Sequence, residues 1–171
     1  RISKGGRGIC GVRKNIGGIL VPTAYGIYPA VHMDPVEKKP LNHFLPGSSI
    51  LSVGSIGCNL TCMMCQNWSL SRGILNGSET EIPLNELVRM SKSGNSIGVA
   101  FTYNEPTINA EYILDVSPML EKVGSKVVLV TNGHLEEDPW MEIMGVADAV
   151  NIDVKGFKEK FYRESVGGDL S

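Results

Sequence analysis

From Ser49 onward the chain alternates between short apolar runs and longer stretches with helical spacing. Ile50-Leu-Ser-Val53, Ile97-Gly-Val-Ala-Phe-Thr102, Lys126-Val-Val-Leu-Val130 and Ala149-Val-Asn-Ile-Asp153 have the length and apolar content of buried strands. Between them, Pro83-Leu-Asn-Glu-Leu-Val-Arg-Met90 carries apolar residues at 84, 87, 88 and 90, close to a helical stripe, with proline suited to the first turn. Pro106 through about Lys122 reads as a second helix, with Ile108, Tyr112, Leu114 and Met119 among its apolar positions, and Pro118 is expected to bend or divide it. Pro139-Trp-Met-Glu-Ile-Met144 starts a short helix, and Phe157–Glu164 reads as a further one. Strands alternating with helices predict right-handed βαβ units on a parallel sheet, an α/β fold.

Residues 66–82 are polar, with glycines at 73 and 77, and read as a helical start followed by loop. Residues 1–47 are rich in glycine and proline, with short apolar pieces such as Gly18-Ile-Leu-Val21, and read as turns and short strands. The expected organisation is an irregular N-terminal segment over 1–47 and an α/β unit over 48–171.

The most informative stretch follows the first strand directly. Cys58-Asn-Leu-Thr-Cys62-Met-Met-Cys65 places three of the four cysteines in the spacing C-x3-C-x2-C. Three thiolates on one short loop suit three corners of a [4Fe–4S] cube, a cluster normally held by four. The remaining iron then keeps an open coordination position, which metal-based catalysis requires. A zinc site would need a fourth ligand and usually shows two C-x2–4-C pairs. Cys10 is far upstream and no histidine falls inside the loop. An electron-carrying ferredoxin loop would read C-x2-C-x2-C with another cysteine close behind. A disulfide framework is disfavoured in a chain of this size without a secretory leader. Cys10 reads as a free thiol, and His32 and His43, which lack metal-like spacing, as structural or solvated.

In parallel α/β folds chemistry gathers at the C-terminal ends of the strands. Polar motifs follow all four: the cysteines, then Thr102-Tyr-Asn-Glu-Pro106, Thr131-Asn-Gly133 and Asp153-Val-Lys155. From the residues alone, Asn104 reads as a cap for the helix opening at Pro106, and Glu105 suits its positive end. Asn132-Gly133 is also ordinary turn chemistry, and Lys155 also reads as a solvated lysine. Trp68 reads equally as core, and Tyr103 as a packed tyrosine or a radical relay.

The cysteine spacing after the first strand of an α/β unit resembles the radical S-adenosylmethionine (SAM) superfamily. Asp34-Pro-Val-Glu-Lys-Lys-Pro40, His43-Phe-Leu-Pro-Gly-Ser48, Gly57-Cys-Asn59 and Cys65-Gln-Asn-Trp68 resemble, more narrowly, the radical SAM enzyme of the AmmeMemoRadiSam system, which is close to pyruvate formate-lyase-activating enzymes. The resemblance implies a partial (β/α) barrel of roughly four βα units. It also implies a [4Fe–4S] cluster on Cys58, Cys62 and Cys65, and SAM on the open iron, cleaved reductively to a 5′-deoxyadenosyl radical. Glu105 would pair with the SAM ammonium and Lys155 with its carboxylate. Thr131, Asn132 and Asp153 would stand nearby. Met64 takes the place of an aromatic that packs on adenine in many relatives. Asn104 stands where relatives carry glycine, and Val130 where some carry aspartate. Gln66, Asn67 and Trp68 would follow the cluster, where hydrogen bonds to sulfur tune potential.

Composition narrows the partners. A net charge of −2 gives no electrostatic reason to expect nucleic acid. The basic residues within positions 1–14 read as a solvated arm, and no apolar run approaches the roughly 18 residues that span a bilayer. Free cysteines poised for a cluster suit a reducing compartment, so the expected location is cytoplasmic. The resemblance implies an electron donor such as flavodoxin or ferredoxin, further cysteines before Arg1 and about half a barrel after Ser171, so the chain reads as a fragment of a longer enzyme. Two rival readings stay open: activation of a glycyl radical enzyme, whose substrate is a protein loop, and a non-catalytic iron–sulfur or zinc-binding module.

Overall fold

Two short strands near the N-terminus, β1 (Arg13–Ile16) and β2 (Ile19–Pro22), pair as an antiparallel hairpin. The main sheet has five strands in the order β3 (Ala30–Pro35), β4 (Ser49–Gly54), β5 (Ser96–Phe101), β6 (Lys126–Thr131) and β7 (Ala149–Ile152). The four apolar runs are β4 to β7, and every pairing among them is parallel. The computed structural model describes residues 2–73 and 79–170, so the loop expected around Gly77 lies outside the described residues. Among the described residues, no helix is long and apolar enough to cross a membrane.

The helices follow the strands as the alternation requires. They are α1 (Trp68–Ser71), α2 (Leu84–Ser91), α3 (Ala110–Lys122), α4 (Glu137–Met144) and α5 (Glu159–Phe161). Successive strand residues point to opposite faces. Leu51, Val53, Val99, Phe101, Val127 and Leu129 therefore share one face, buried against Leu87 of α2, Tyr112, Ile113, Val116 and Leu120 of α3, and Ile143 of α4. Ile50, Ala100 and Val128 point the other way and are covered by Leu41 and Phe44. With both faces covered, the strands read as nearly continuous apolar runs and not as alternation.

Three local expectations need correction. Ala30–Pro35 belongs to the main sheet as an antiparallel edge strand, with Ala30 opposite Gly54 and Pro35 opposite Ser49. Its side chains are mostly half-exposed, so its sequence carries no buried-strand signature. Pro118 does not divide α3. It lies on the exposed side of the helix, where the donor that proline lacks is least missed. The last helix is shifted from Phe157–Glu164: α5 begins at Glu159 and passes directly into a wider helical turn over Tyr162–Val166. Phe157 itself is exposed.

Gly98 shows how tightly the sheet is packed. Its φ is +157°, and a Cβ there would stand 2.1 Å from the Lys126 carbonyl oxygen and 2.3 Å from its amide nitrogen. Those are backbone atoms of the paired strand, which cannot move aside without breaking the ladder. Gly98→Ala is therefore expected to destabilise the fold by about 3 kcal/mol, the upper range for overpacking, read as a lowered urea midpoint.

Candidate functional site

Beyond β4 the chain turns at Gly57, whose φ is +95° and whose absent Cβ would lie 2.3 Å from the Cys10 carbonyl oxygen. Only glycine fits there, and the turn sends the next residues across the C-terminal ends of the strands. The cysteine loop has little regular structure of its own and is held from outside. Leu60 is buried against Tyr162 and Val166. Thr61 and Met63 donate their amides to the Val166 and Ser165 carbonyls at 2.8 and 2.9 Å. The Arg72 guanidinium donates to the Leu60 carbonyl at 2.6 Å.

The three thiols are free and half-buried. The Leu60 amide points at the Cys58 sulfur at 3.4 Å, and the Ser71 hydroxyl lies 3.4 Å from the Cys65 sulfur. Burial pushes the Cys58 thiol up to about 11. Burial raises Cys62 as well, with the Lys155 ammonium pulling the other way. Among the described residues, no group of three His, Cys, Asp or Glu side chains is gathered around a single ion position. Cys10 lies apart, in a small core with Val12, Ala24, Ile56 and Ile108.

A cleft of about 1150 Å³ opens beside this loop, and its lining includes Cys58, Cys62, Met64, Cys65, Asn104, Glu105, Thr131, Asn132, Asp153 and Lys155. They play different parts. Asn104 accepts from the Ser55 amide at 3.0 Å and donates to the Ser55 hydroxyl at 2.9 Å and the Gly57 carbonyl at 2.7 Å. It fastens the exit of β4 and does not cap the helix. Glu105 is the cap: its Oε1 accepts from the Thr107 amide at 3.0 Å and hydroxyl at 2.7 Å, ahead of Pro106 in the first turn.

The same Glu105 carboxylate reaches across to β6. Oε1 accepts from the Thr131 hydroxyl at 2.7 Å and Oε2 from the Asn132 amide at 2.8 Å. Burial pushes this carboxyl above its usual range, against the donors that pull it down. It is only 2% exposed, and both oxygens face internal donors. The resemblance implies a ligand ammonium at this carboxylate, whose oxygens here accept from Thr107, Thr131 and Asn132. Asn132 in turn donates to the Asn59 side chain at 2.8 Å and points toward the Cys58 sulfur at 3.9 Å. Asn59 donates to the His134 carbonyl at 2.6 Å. Past β7, the Lys155 ammonium is paired with Asp153. Burial works against its charge, but Asp153 and the nearby cysteines hold it above the ordinary lysine range.

Other expectations around the loop resolve differently. Trp68 is 68% exposed and is not core, and Met63 and Met64 are exposed too. The Asn67 side chain donates to the Tyr103 carbonyl at 2.7 Å. Tyr103 has a φ of +72°, a left-handed conformation that costs a non-glycine residue about 1–3 kcal/mol. Its hydroxyl donates to Asp34 at 2.7 Å. Asp34 also accepts from Lys39 at 2.9 Å and Lys38 at 3.2 Å. Asp34, Lys39 and Asn59 stand in motifs that carry the resemblance, but the sequence assigns none of them a contact in the site. The carboxylate with two lysines four and five residues later was the visible signal, but nothing in it pointed to Tyr103.

A half-barrel of parallel strands with three cysteines looped over its C-terminal end defines a class, and sequence comparison gives the same one. The Radical SAM superfamily is matched over residues 53–170, and the chain belongs to it. A curated relative, an uncharacterized protein of Methanocaldococcus jannaschii, is 38% identical over 168 residues, covering 95% of this chain and 48% of the relative. The chain thus spans about half the length of the curated relative it matches.

Two outcomes follow from the carboxylates. Glu105→Gln replaces an acceptor oxygen with an amide that faces buried donors, and is expected to cost about 1–3 kcal/mol in thermal melting. Asp34 is opposed by burial, but the Lys39, Tyr103 and Lys38 donors outweigh it and hold its carboxyl well below the usual range. A depressed acid stabilises the fold fully above its unfolded value, about 3.9, and loses that contribution as pH falls toward the folded value. The stability advantage of the native chain over Asp34→Asn should therefore shrink from about pH 4 downward in urea titrations.

Proposed function

We propose that this chain holds a [4Fe–4S] cluster through Cys58, Cys62 and Cys65 with S-adenosylmethionine beside it, in an enzyme that cleaves SAM reductively to begin hydrogen abstraction from its substrate. The observation that carries this reading is that the three free thiols line the same cleft as the polar ends of the next three parallel strands. The donor set fits the group. A cubane spreads its thiolates over separate irons, so the sulfurs need not converge on one ion. The Leu60 amide and Ser71 hydroxyl already stand against sulfur, as partners of a cluster thiolate would. When bound, the cluster supplies the electron that breaks a sulfonium bond of SAM.

The remaining work belongs to the chain's own side chains. Lys155, paired with Asp153 at the cleft edge, offers an ammonium suited to the SAM carboxylate. Glu105 serves by fixing Thr131 and Asn132, so that the end of β6 presents a defined surface to the ligand. Met64, exposed at the rim, offers an adaptable apolar surface to adenine. Fixed orientation and exclusion of water are what such a site must provide. The motifs at Asp34–Pro40, His43–Ser48 and Cys65–Trp68 support the narrower kinship with the AmmeMemoRadiSam enzyme, fed by flavodoxin or ferredoxin and acting on a small molecule or a protein substrate.

Anaerobic reconstitution with iron and sulfide, followed by EPR of the reduced protein, tests the reading. A cubane signal that changes on adding SAM is expected, and Cys58→Ala, Cys62→Ala and Cys65→Ala should each lose it. Lys155→Ala should keep the cluster and bind SAM roughly tenfold or more weakly, as the loss of one charge-assisted bond implies. Zinc bound in place of a cluster, or a signal indifferent to SAM, would overturn it.

A further inference from the structure

We propose that Asp34 is a positioning residue for the cysteine loop, acting through Tyr103; this rests on the cluster reading above. Tyr103 holds its left-handed backbone against its own preference. Such a conformation persists only where the surroundings over-determine it. Here the surroundings are specific. The Tyr103 hydroxyl donates to Asp34 at 2.7 Å, the Lys39 ammonium lies 5.0 Å above the ring centroid, and His32 meets the ring edge-on at 5.9 Å. Lys39 is itself buried and bound to the same Asp34 oxygen at 2.9 Å. The ring is thereby tied to the β3 end of the chain, on the far side of β4 from β5.

Fixing the ring fixes the peptide. The Tyr103 carbonyl accepts from the Asn67 side chain at 2.7 Å. Asn67 starts α1, and its own carbonyl takes the Leu70 and Ser71 amides at 3.1 and 2.9 Å. Ser71 carries the hydroxyl that touches the Cys65 sulfur at 3.4 Å. An unbroken run of contacts thus leads from Asp34 to the last cysteine of the loop. Asp34 and Lys39 lie outside residues 53–170, the span matched to the superfamily.

The test uses the full-length protein, reconstituted anaerobically and compared in cluster retention against an iron chelator, EPR line shape and melting temperature. Tyr103→Phe removes only the hydroxyl and keeps the Asp34–Lys39 pair. It and Asp34→Asn are each expected to lose cluster about tenfold faster, the low end for removing groups that orient ligands, with an altered line shape. Tyr103→Gly adopts the left-handed backbone freely, so the Asn67 acceptor no longer needs Asp34. Asp34→Asn added to Tyr103→Gly should then cause no further loss of cluster. Native line shape and retention in Tyr103→Phe would overturn the proposal, as would an equal loss from Asp34→Asn in both backgrounds, which marks a merely structural role. If the unaltered protein takes up no cluster, the cluster reading falls and this inference with it. A loaded native protein with indifferent variants sinks only the inference.

Discussion

A carboxylate taken out of water survives only if other donors replace the water, and Glu105 organises the strand ends by that requirement. Its four donors come from two places, the first turn after β5 and the end of β6. Satisfying the carboxylate therefore fixes where those strand ends stand relative to each other. Asn104, the residue before it, does the same toward β4 through Ser55 and Gly57. Two adjacent side chains thus pin three strand ends, and the cleft takes its shape between them.

The cysteine loop depends on this arrangement because it has no regular structure to hold it. Val166 and Ser165 brace it on one side, and the strand-end amides brace it on the other. Burial raises the Cys58 and Cys62 thiols.

Much of this was legible along the chain. The four parallel strands were visible because most of their side chains are apolar, as a sheet covered on both faces requires. The cysteine loop was visible because its spacing is local. β3 was not visible: an edge strand pairs through backbone groups, and half-exposed side chains at Val31 and Met33 leave no periodic mark. Trp68 misleads because a large aromatic is more often buried than exposed. Asn104 reads from the sequence as the cap, and the structure gives that task to Glu105. Both residue types make good caps, and only the approach of Ser55 and Gly57 on one side and Thr131 on the other decides which does so.

The sequence by itself determined the α/β class, the order of the strands in the chain and the three thiols, because each follows from neighbours a few residues apart. Tertiary structure decided what those pieces do to each other. Asp34 meets Tyr103 across 69 residues, and Asn59 meets Asn132 across 73. Contacts at such separation depend on chain geometry summed over whole strands and turns, which no local pattern of side chains encodes.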